Sequence, residues 1–571
     1  MFTQVHVGRV TRGDISEGSC VPAIAGASKT NAAESWTVAD VTHPPLPHKL
    51  AGDFVGPGQR GRPSQLAIAA SFATERQGRP HHQERDNGQT KPGSTGRHDV
   101  VGHRVSAKGP FWQGKMVVAE TDHTPNQKGT FSMRSCHSLD RCEVTFDDEH
   151  LVANAGLMLP ATLAQHLGVR ELFDEHVDLG DAPGRANVGH KAMTLIHSAL
   201  AGGDSIDDAD ALRSGDTQAV LGHAVLAPST LGTFLRSFTW GHARQLDVVA
   251  GKLLTRAWAA GAGPGDEPFT IDVDSSIHET YGLAKHGGTR FTYNHVRGYH
   301  PLYAVSAGTG DVLHSRLRGG NAHAGRGAAS FLTETFNRVR IAGSTGPLVL
   351  RADSGFYSRT VVDACRQAKV RFSITAKLHK GGVHKAIAAI EESAWVAIPY
   401  FLDGADVAEA TYQPFGNKGQ PCRLIVRRVR PTPGSQLALF VEFSYHAFIT
   451  DRPGEMLELE ADHRRHAEIE NTIRDLKYGV GLNHLPSGRF GANAAWLAFN
   501  VMAHNLARFS TRLGLGDGLI TTETLRRRYL TIPGRITRSA RQRTLHLPAR
   551  WPWAERFMVA LRHHRDVVLV T

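Results

Sequence analysis

Hydrophobic positions are unevenly distributed along the 571 residues. Residues 1–132 carry few apolar side chains and no period, and runs such as "GPGQRGRPSQ" are rich in Gly, Pro, Gln and Arg. A segment of this kind buries too little surface to offset chain entropy, so disorder is expected there, or a spurious extension ahead of a true start at Met133. From Val144 the texture changes. In "LVANAGLMLPATLAQHLGVRELFDEHV", Leu163, Leu167, Leu172 and Phe173 fall on one side of a helix. "HKAMTLIHSALAGG" and "PSTLGTFLRSF" continue the pattern, with Ser229 or Thr230 as the expected N-cap of the latter. Residues 144–262 thus read as a helical domain, closed by the linker "AGAGPGDEP".

Beyond the linker the period shifts. "FTIDVD" alternates as a strand, "PLYAVSA" and "VLHSRL" flank the turn "GTGD" as a hairpin, and "PLVLRAD" is a continuous apolar run suited to a buried central strand. "GRGAASFLTETFNRVRIAG" and "SRTVVDACRQAKV" read as helices and "RFSITAK" as a further strand. The predicted order over 268–379 is three strands, a helix, a strand, a helix and a strand. That is the order of an RNase H-like core still lacking its last helix. Residues 380–450 are strand-rich and read as an insertion. Residues 451–515 supply the closing helices, beginning with "EMLELEADHRRHAEIENTIRDLKYG". The predicted fold class is therefore α/β: an RNase H-like catalytic core with a β-rich insertion, preceded by a helical domain and a disordered N-terminal segment. The most apolar stretch, "AAWLAFNVMAHNLARF", carries Asn500, His504, Asn505 and Arg508, so a buried helix is expected rather than a membrane span.

Composition narrows the partners. The formal net charge of +11 favours a polyanion. Five cysteines without a CxxC pair argue against a disulfide framework and for a reducing compartment. No apolar N-terminal segment suggests a secretory signal. The region 516–571 is basic, with Arg526, Arg527, Arg528, Arg535, Arg538, Arg541 and Arg543 suited to phosphate neutralisation.

Three acids fall where phosphoryl-transfer chemistry would place them. Asp274 closes the first predicted strand, Asp353 follows the fourth, and Glu470 lies on the helix after the insertion. Converging carboxylates suit two hard divalent ions, Mg²⁺ or Mn²⁺. Asp272 is a rival ligand, because residues two apart on a strand share a side. His463, His466, Glu470 and Lys477 make one helical stripe, read as meeting metal and phosphate, beside an apolar stripe of Ile469, Ile473 and Leu476. A zinc site from His463, His466 and Glu470 is disfavoured by the lack of an HExxH pattern.

The segments "TIDVDSSIHETYGLAKHGG", "YNHVRGYHPLYAVSAGTGDVLHSRLRGG", "LVLRADSGFYS" and "HRRHAEIENTIRDLKYGVGLNHLPSGRFGANAAWLAFNVMAHNLARF" resemble bacterial insertion-sequence transposases of the DDE type. The resemblance points to the group numbered thirteen-eighty, within the cut-and-paste superfamily that carries a Tyr-Arg-Glu-Lys signature. It implies Mg²⁺-dependent cleavage at terminal inverted repeats and strand transfer into target DNA, by a homodimer in the DNA complex, in the bacterial cytoplasm at the nucleoid. Asp274, Asp353 and Glu470 would be the catalytic triad. Glu470 and Lys477 match the signature, whereas His463 and His466 stand at its Tyr and Arg positions. DNA contacts are then expected from Lys477, His466, His463, Arg474, Arg526, Arg527, Arg528, Arg535 and Arg538, with Trp395 as the insertion tryptophan against which a base would be flipped. His466 in particular is expected to contact a DNA phosphate. A relic that binds DNA without catalysis, and a metal-dependent nuclease without joining activity, are the alternatives.

Overall fold

The computed structural model describes residues 142–568, apart from 283–284, 286–288, 380–381, 401–403, 417–418, 432–442 and 517. The expectations for residues 1–132 lie outside the described residues. The centre is a nine-stranded mixed sheet. Its strands are β1 Phe269–Ser275, β2 Leu302–Ser306, β3 Val312–Arg316, β4 Leu348–Ala352, β5 Arg371–Thr375, β6 Val396–Ala397, β7 Ala405–Tyr412, β8 Cys422–Val429 and β9 Ser444–Thr450. Their spatial order is β6-β7-β8-β9-β5-β4-β1-β2-β3. β1 pairs parallel with β4, and β4 parallel with β5, while the other pairings are antiparallel. All five residues of β4 are buried, as a strand covered on both faces requires. The strands of the 380–450 region do not form a sheet of their own; β9 docks on β5 and extends the same sheet.

Helices supply the crossovers that parallel pairing needs. The helix Ala328–Ile341 leads into β4 and ends at Gly343, whose φ of 113° suits only glycine. The helix Arg359–Gln367 leads into β5 and is capped by the Ser358 hydroxyl, which accepts from the Val361 N–H. Upstream lie Val188–Ala201 (α1), Pro228–Ser237 (α2) and Trp240–Ala257 (α3). Neither Ser229 nor Thr230 caps α2. Pro228 is its first residue and Ala227 the cap, because a proline ring is already set to a helical φ and lacks the N–H that a cap would satisfy.

The long helix predicted over 455–479 is not uniform. It runs as α-helix over Met456–Arg464 (α4), tightens to 3₁₀ over Arg465–Glu468, resumes over Ile469–Arg474 (α5) and widens to π over Asp475–Gly479. These turns rotate Glu470 and Lys477 away from the positions an ideal helix would give them relative to His463.

The helix Phe490–Ser510 (α6) joins the upstream helices to the sheet. Its Phe499 ring lies 5.7 Å from Phe173, 5.8 Å from Phe234 and 5.9 Å from Phe238. Two of its buried polar residues bind the backbone of the sheet. The Asn505 side chain donates to Val312 O and accepts from Val312 N, both at 2.8 Å, and His504 Nε2 meets Gly310 O at 3.0 Å. These bonds close the backbone at the start of β3, which explains polar side chains on an otherwise apolar helix. Among the described residues no helix is long and apolar enough to cross a membrane.

Phe499→Ala should destabilise the chain by about 3–5 kcal/mol, the usual cost of emptying a packed aromatic site. Denaturant unfolding measures it, and a loss below about 1 kcal/mol would show that α6 is not the centre of this core.

Candidate active site

The site grows from the register of two parallel strands. Asp272 of β1 lies opposite Arg351 of β4, and Val273 opposite Ala352, so Asp274 and Asp353 follow side by side at the strand ends. Two carboxylates on β1 that share a face thus meet opposite neighbours: a cation for Asp272 and a second carboxylate for Asp274.

Asp272 and Arg351 are each only 1% exposed. Arg351 grips Asp272 with two parallel bonds, Nε to Oδ1 and Nη2 to Oδ2, both 2.8 Å. Its remaining nitrogen, Nη1, donates to the backbone carbonyl of Asp462 at 2.7 Å and to its carboxylate at 3.0 Å. The other side of that carboxylate is held by Arg452. His466 Nδ1 adds a contact of 3.0 Å to Asp272 Oδ1. Both oxygens of Asp272 are therefore committed within the protein. Asp272, the rival metal ligand of the sequence reading, is thus buried and paired with a cation.

Asp274 has no such partner. Burial raises its carboxyl, and the Asp353 charge raises it further, to about 6; the Ser275 N–H and His466 act against the rise, and Glu470 adds to it. Burial also raises Asp353, against the pull of His466, the Gly355 N–H and Lys377. Glu470 is exposed on α5. The structure therefore brings Asp274 and Asp353 together and puts Glu470 within electrostatic reach of Asp274. Among the described residues, no group of three His, Cys, Asp or Glu side chains is arranged to hold an ion. The donor set still fits a hard divalent cation: two half-buried, mutually repelling carboxylates without an arginine partner, and a third on the adjoining helix.

His463, His466 and Lys477 of the helical stripe are all bonded within the protein. His463 turns to the sheet, where Ser373 Oγ and Thr375 Oγ1 meet its two ring nitrogens at 2.8 and 3.0 Å. Its ring stacks on Phe448 at 4.1 Å, and burial drives it down to about 3. It docks the helix on the sheet. His466, 13% exposed, reaches Asp272 rather than open solvent. Lys477 donates to Ile277 O at 3.0 Å, which ties the helix to the loop after β1. Arg474 is exposed and bonds Asn471.

The remaining expected contacts are spread over the surface. Arg526 is turned inward, donating to the carbonyls of Leu200 and Ala199 at 2.8 and 3.2 Å and to that of Gly479. It closes the C-terminal end of α1. Arg527 is exposed; Arg528 lies over the Trp553 ring at 5.6 Å. Arg535 and Arg538 pair with Asp148 and Asp216 at 3.4 and 2.9 Å yet keep more than half their surface exposed. Trp395 is covered on one side by Arg428, 4.4 Å from the ring. Sequence reading missed Arg351. Its signal was present: a lone arginine inside the apolar run "PLVLRAD", two residues before an acid, as Asp272 is two residues before Asp274.

Fold and site together define a mixed α/β protein with an acidic centre at the ends of two neighbouring parallel strands. The chain belongs to the transposase family whose model, "Transposase DDE domain group 1", matches residues 135–567. No curated protein matches it. Among solved structures it is similar to a piggyBac transposase synaptic complex with hairpin DNA, at 10% identity and a TM-score of 0.38, over 66% of this chain and 79% of that one. So loose a likeness carries no argument.

Breaking the sealed pair should be costly and removing both halves should not. Asp272→Asn and Arg351→Met are each expected to lose about 3–5 kcal/mol of stability, and the double variant much less than their sum. Denaturant unfolding of the four proteins tests this; additive losses would mean that the two charges do not stabilise each other.

Proposed function

We propose that this transposase cuts DNA at terminal inverted repeats and joins the ends to target DNA, with Asp274, Asp353 and Glu470 as its catalytic carboxylates. The observation that carries this reading is the unpaired Asp274–Asp353 couple, one step beyond a sealed Asp272–Arg351 couple in the same register. A chain that neutralises one acid this carefully and leaves its neighbour raised by a second acid has reserved a place for positive charge. The strand order β3-β2-β1-β4-β5, with two antiparallel pairings followed by two parallel ones, supports an RNase H-like core, and β6–β9 then form the insertion ahead of the closing helices.

Asp274, Asp353 and Glu470 would hold two Mg²⁺ or Mn²⁺ ions. Bound there, such ions supply Lewis-acid charge to the attacking and leaving oxygens of a phosphodiester. The chain's own groups do the rest. The Ser275 and Gly355 N–H groups, at 2.6 and 3.0 Å, fix the carboxylate rotamers of Asp274 and Asp353. Lys477 holds the loop that leaves Asp274. The net charge of +11 favours DNA as the polyanion, and Arg474, Arg527, Arg535 and Arg538, each exposed, are the side chains we assign to its phosphates. Two ends must be cut for one element to move, so a homodimer in the DNA complex is the natural assembly.

Asp274→Asn, Asp353→Asn and Glu470→Gln should each lower Mg²⁺-dependent cleavage of inverted-repeat DNA by at least about 10²-fold, while binding of the same DNA persists. Product analysis with radiolabelled ends separates cutting from joining. A variant that still cuts within a few-fold of wild type removes that residue from the triad, and a wild-type protein that cuts without joining reduces the reading to a nuclease.

A further inference from the structure

Beside the acidic centre the chain builds a small surface that the chemistry above does not use. Three short strands, His278–Glu279, Arg290–Phe291 and Arg297–Tyr299, form a separate sheet with Arg297–Tyr299 in the middle. Phe291 pairs with Arg297, so their side chains share a face, and the Arg297 guanidinium lies 4.6 Å from the Phe291 ring. Tyr293 follows two residues on, in the turn closed by Thr292 N donating to Val296 O. Both rings are unusually bare, Phe291 at 58% and Tyr293 at 64% exposure. Glu279, the acid of this sheet, pairs with Gly298, one residue out of step with Arg297, and so points to the opposite face, where it accepts from the Tyr281 hydroxyl.

This face connects to the acidic centre through a basic loop. The Tyr293 ring lies 5.8 Å from that of His300, whose Nδ1 meets Ala322 O at 2.7 Å. Arg318 donates to the carbonyls of His300, His323, Ala324 and Arg326 and so fixes residues 323–326 as a unit. Burial first, and then the nearby Arg316 and Arg326, lower Arg318 to about 10. The loop abuts the turn after Asp353: a Cβ placed on Gly355 would lie 2.7 Å from the Cβ of Ala324. His323 and Arg326 are exposed along the way.

We infer that Phe291, Tyr293 and Arg297, with His323 and Arg326, form a stacking platform for an unpaired DNA strand running away from Asp353. The inference rests on the reading of Asp274 and Asp353 as the cutting centre. Bare aromatic rings beside guanidinium groups fit a single strand, because its bases offer open faces and its phosphates lie within reach of the cations. A duplex offers an open base face only at its ends. The platform would hold the strand parted from its complement at the cut.

The test uses the full chain without divalent ions, a fluorescent oligothymidine, and a duplex of equal length closed by hairpins at both ends, read by anisotropy. Phe291→Ala/Tyr293→Ala should weaken oligothymidine binding about tenfold or more and leave duplex binding within about twofold. Tyr293→Phe should behave as wild type, and Arg297→Gln should weaken the single strand alone. Because both rings are exposed, the melting temperature should not move. Asp274→Asn should keep the full single-strand affinity, so a failure of the cutting centre would not be mistaken for a failure of the platform. Unchanged oligothymidine binding in the double variant, equal losses on both DNAs, or a change in oligomeric state without loss of single-strand binding would overturn the inference; the last would assign the rings to a second copy of the chain.

Discussion

Asp272 and Arg351 face each other across two parallel strands with almost no access to water. An ion taken into such a place costs several kcal/mol, and attraction offsets that only where the geometry is close and the remaining hydrogen-bonding groups are also met. Here they are: two bonds of 2.8 Å join the pair, and the third guanidinium nitrogen reaches the backbone and side chain of Asp462 on α4. One arginine therefore locks β1, β4 and the helix leading to Glu470 into a single geometry. The strand ends that carry Asp274 and Asp353, and the start of the segment that carries Glu470, are referred to the same buried point.

That arrangement explains how carboxylates in one register acquire opposite roles. Asp272 is anchored by a cation and serves the fold. Asp274, two residues on and on the same face, has a carboxylate neighbour and is held in a destabilised state at about 6. Repulsion at the strand ends thus sits one step beyond a close ion pair. On the helix, His463 gives both ring nitrogens to β5 and His466 turns to Asp272, so both support the site from within the protein.

Much of this was legible in the sequence. "FTIDVD", "PLVLRAD" and "RFSITAK" announced β1, β4 and β5, because strand period and apolar runs report burial directly, and the placement of Asp274 and Asp353 at strand ends followed from them. What was not legible depends on long-range packing. A helical wheel cannot show that a 3₁₀ turn over Arg465–Glu468 separates His463 from Glu470, nor that the His463 ring stacks on Phe448 of β9. Charge counting treated Arg526 as a surface cation, whereas three carbonyls around the end of α1 claim it. The strands of 380–450 were visible, but not their continuity with β5, since antiparallel docking of β9 leaves no local signal.

The central claim is that the Asp274–Asp353 couple is reserved for divalent cations while Asp272 is not. A Mg²⁺ titration followed by thermal unfolding tests it most directly, without DNA or turnover. Ligation to the folded state raises the melting temperature as the ion concentration passes its dissociation constant. Wild type should show that rise; Asp274→Asn should begin with a higher melting temperature in the absence of metal, since a repulsion has been removed, and should respond weakly or not at all. Asp272→Asn should start lower and still respond. An Asp274→Asn protein stabilised by Mg²⁺ as strongly as wild type, or a response lost only in Asp272→Asn, would contradict the account.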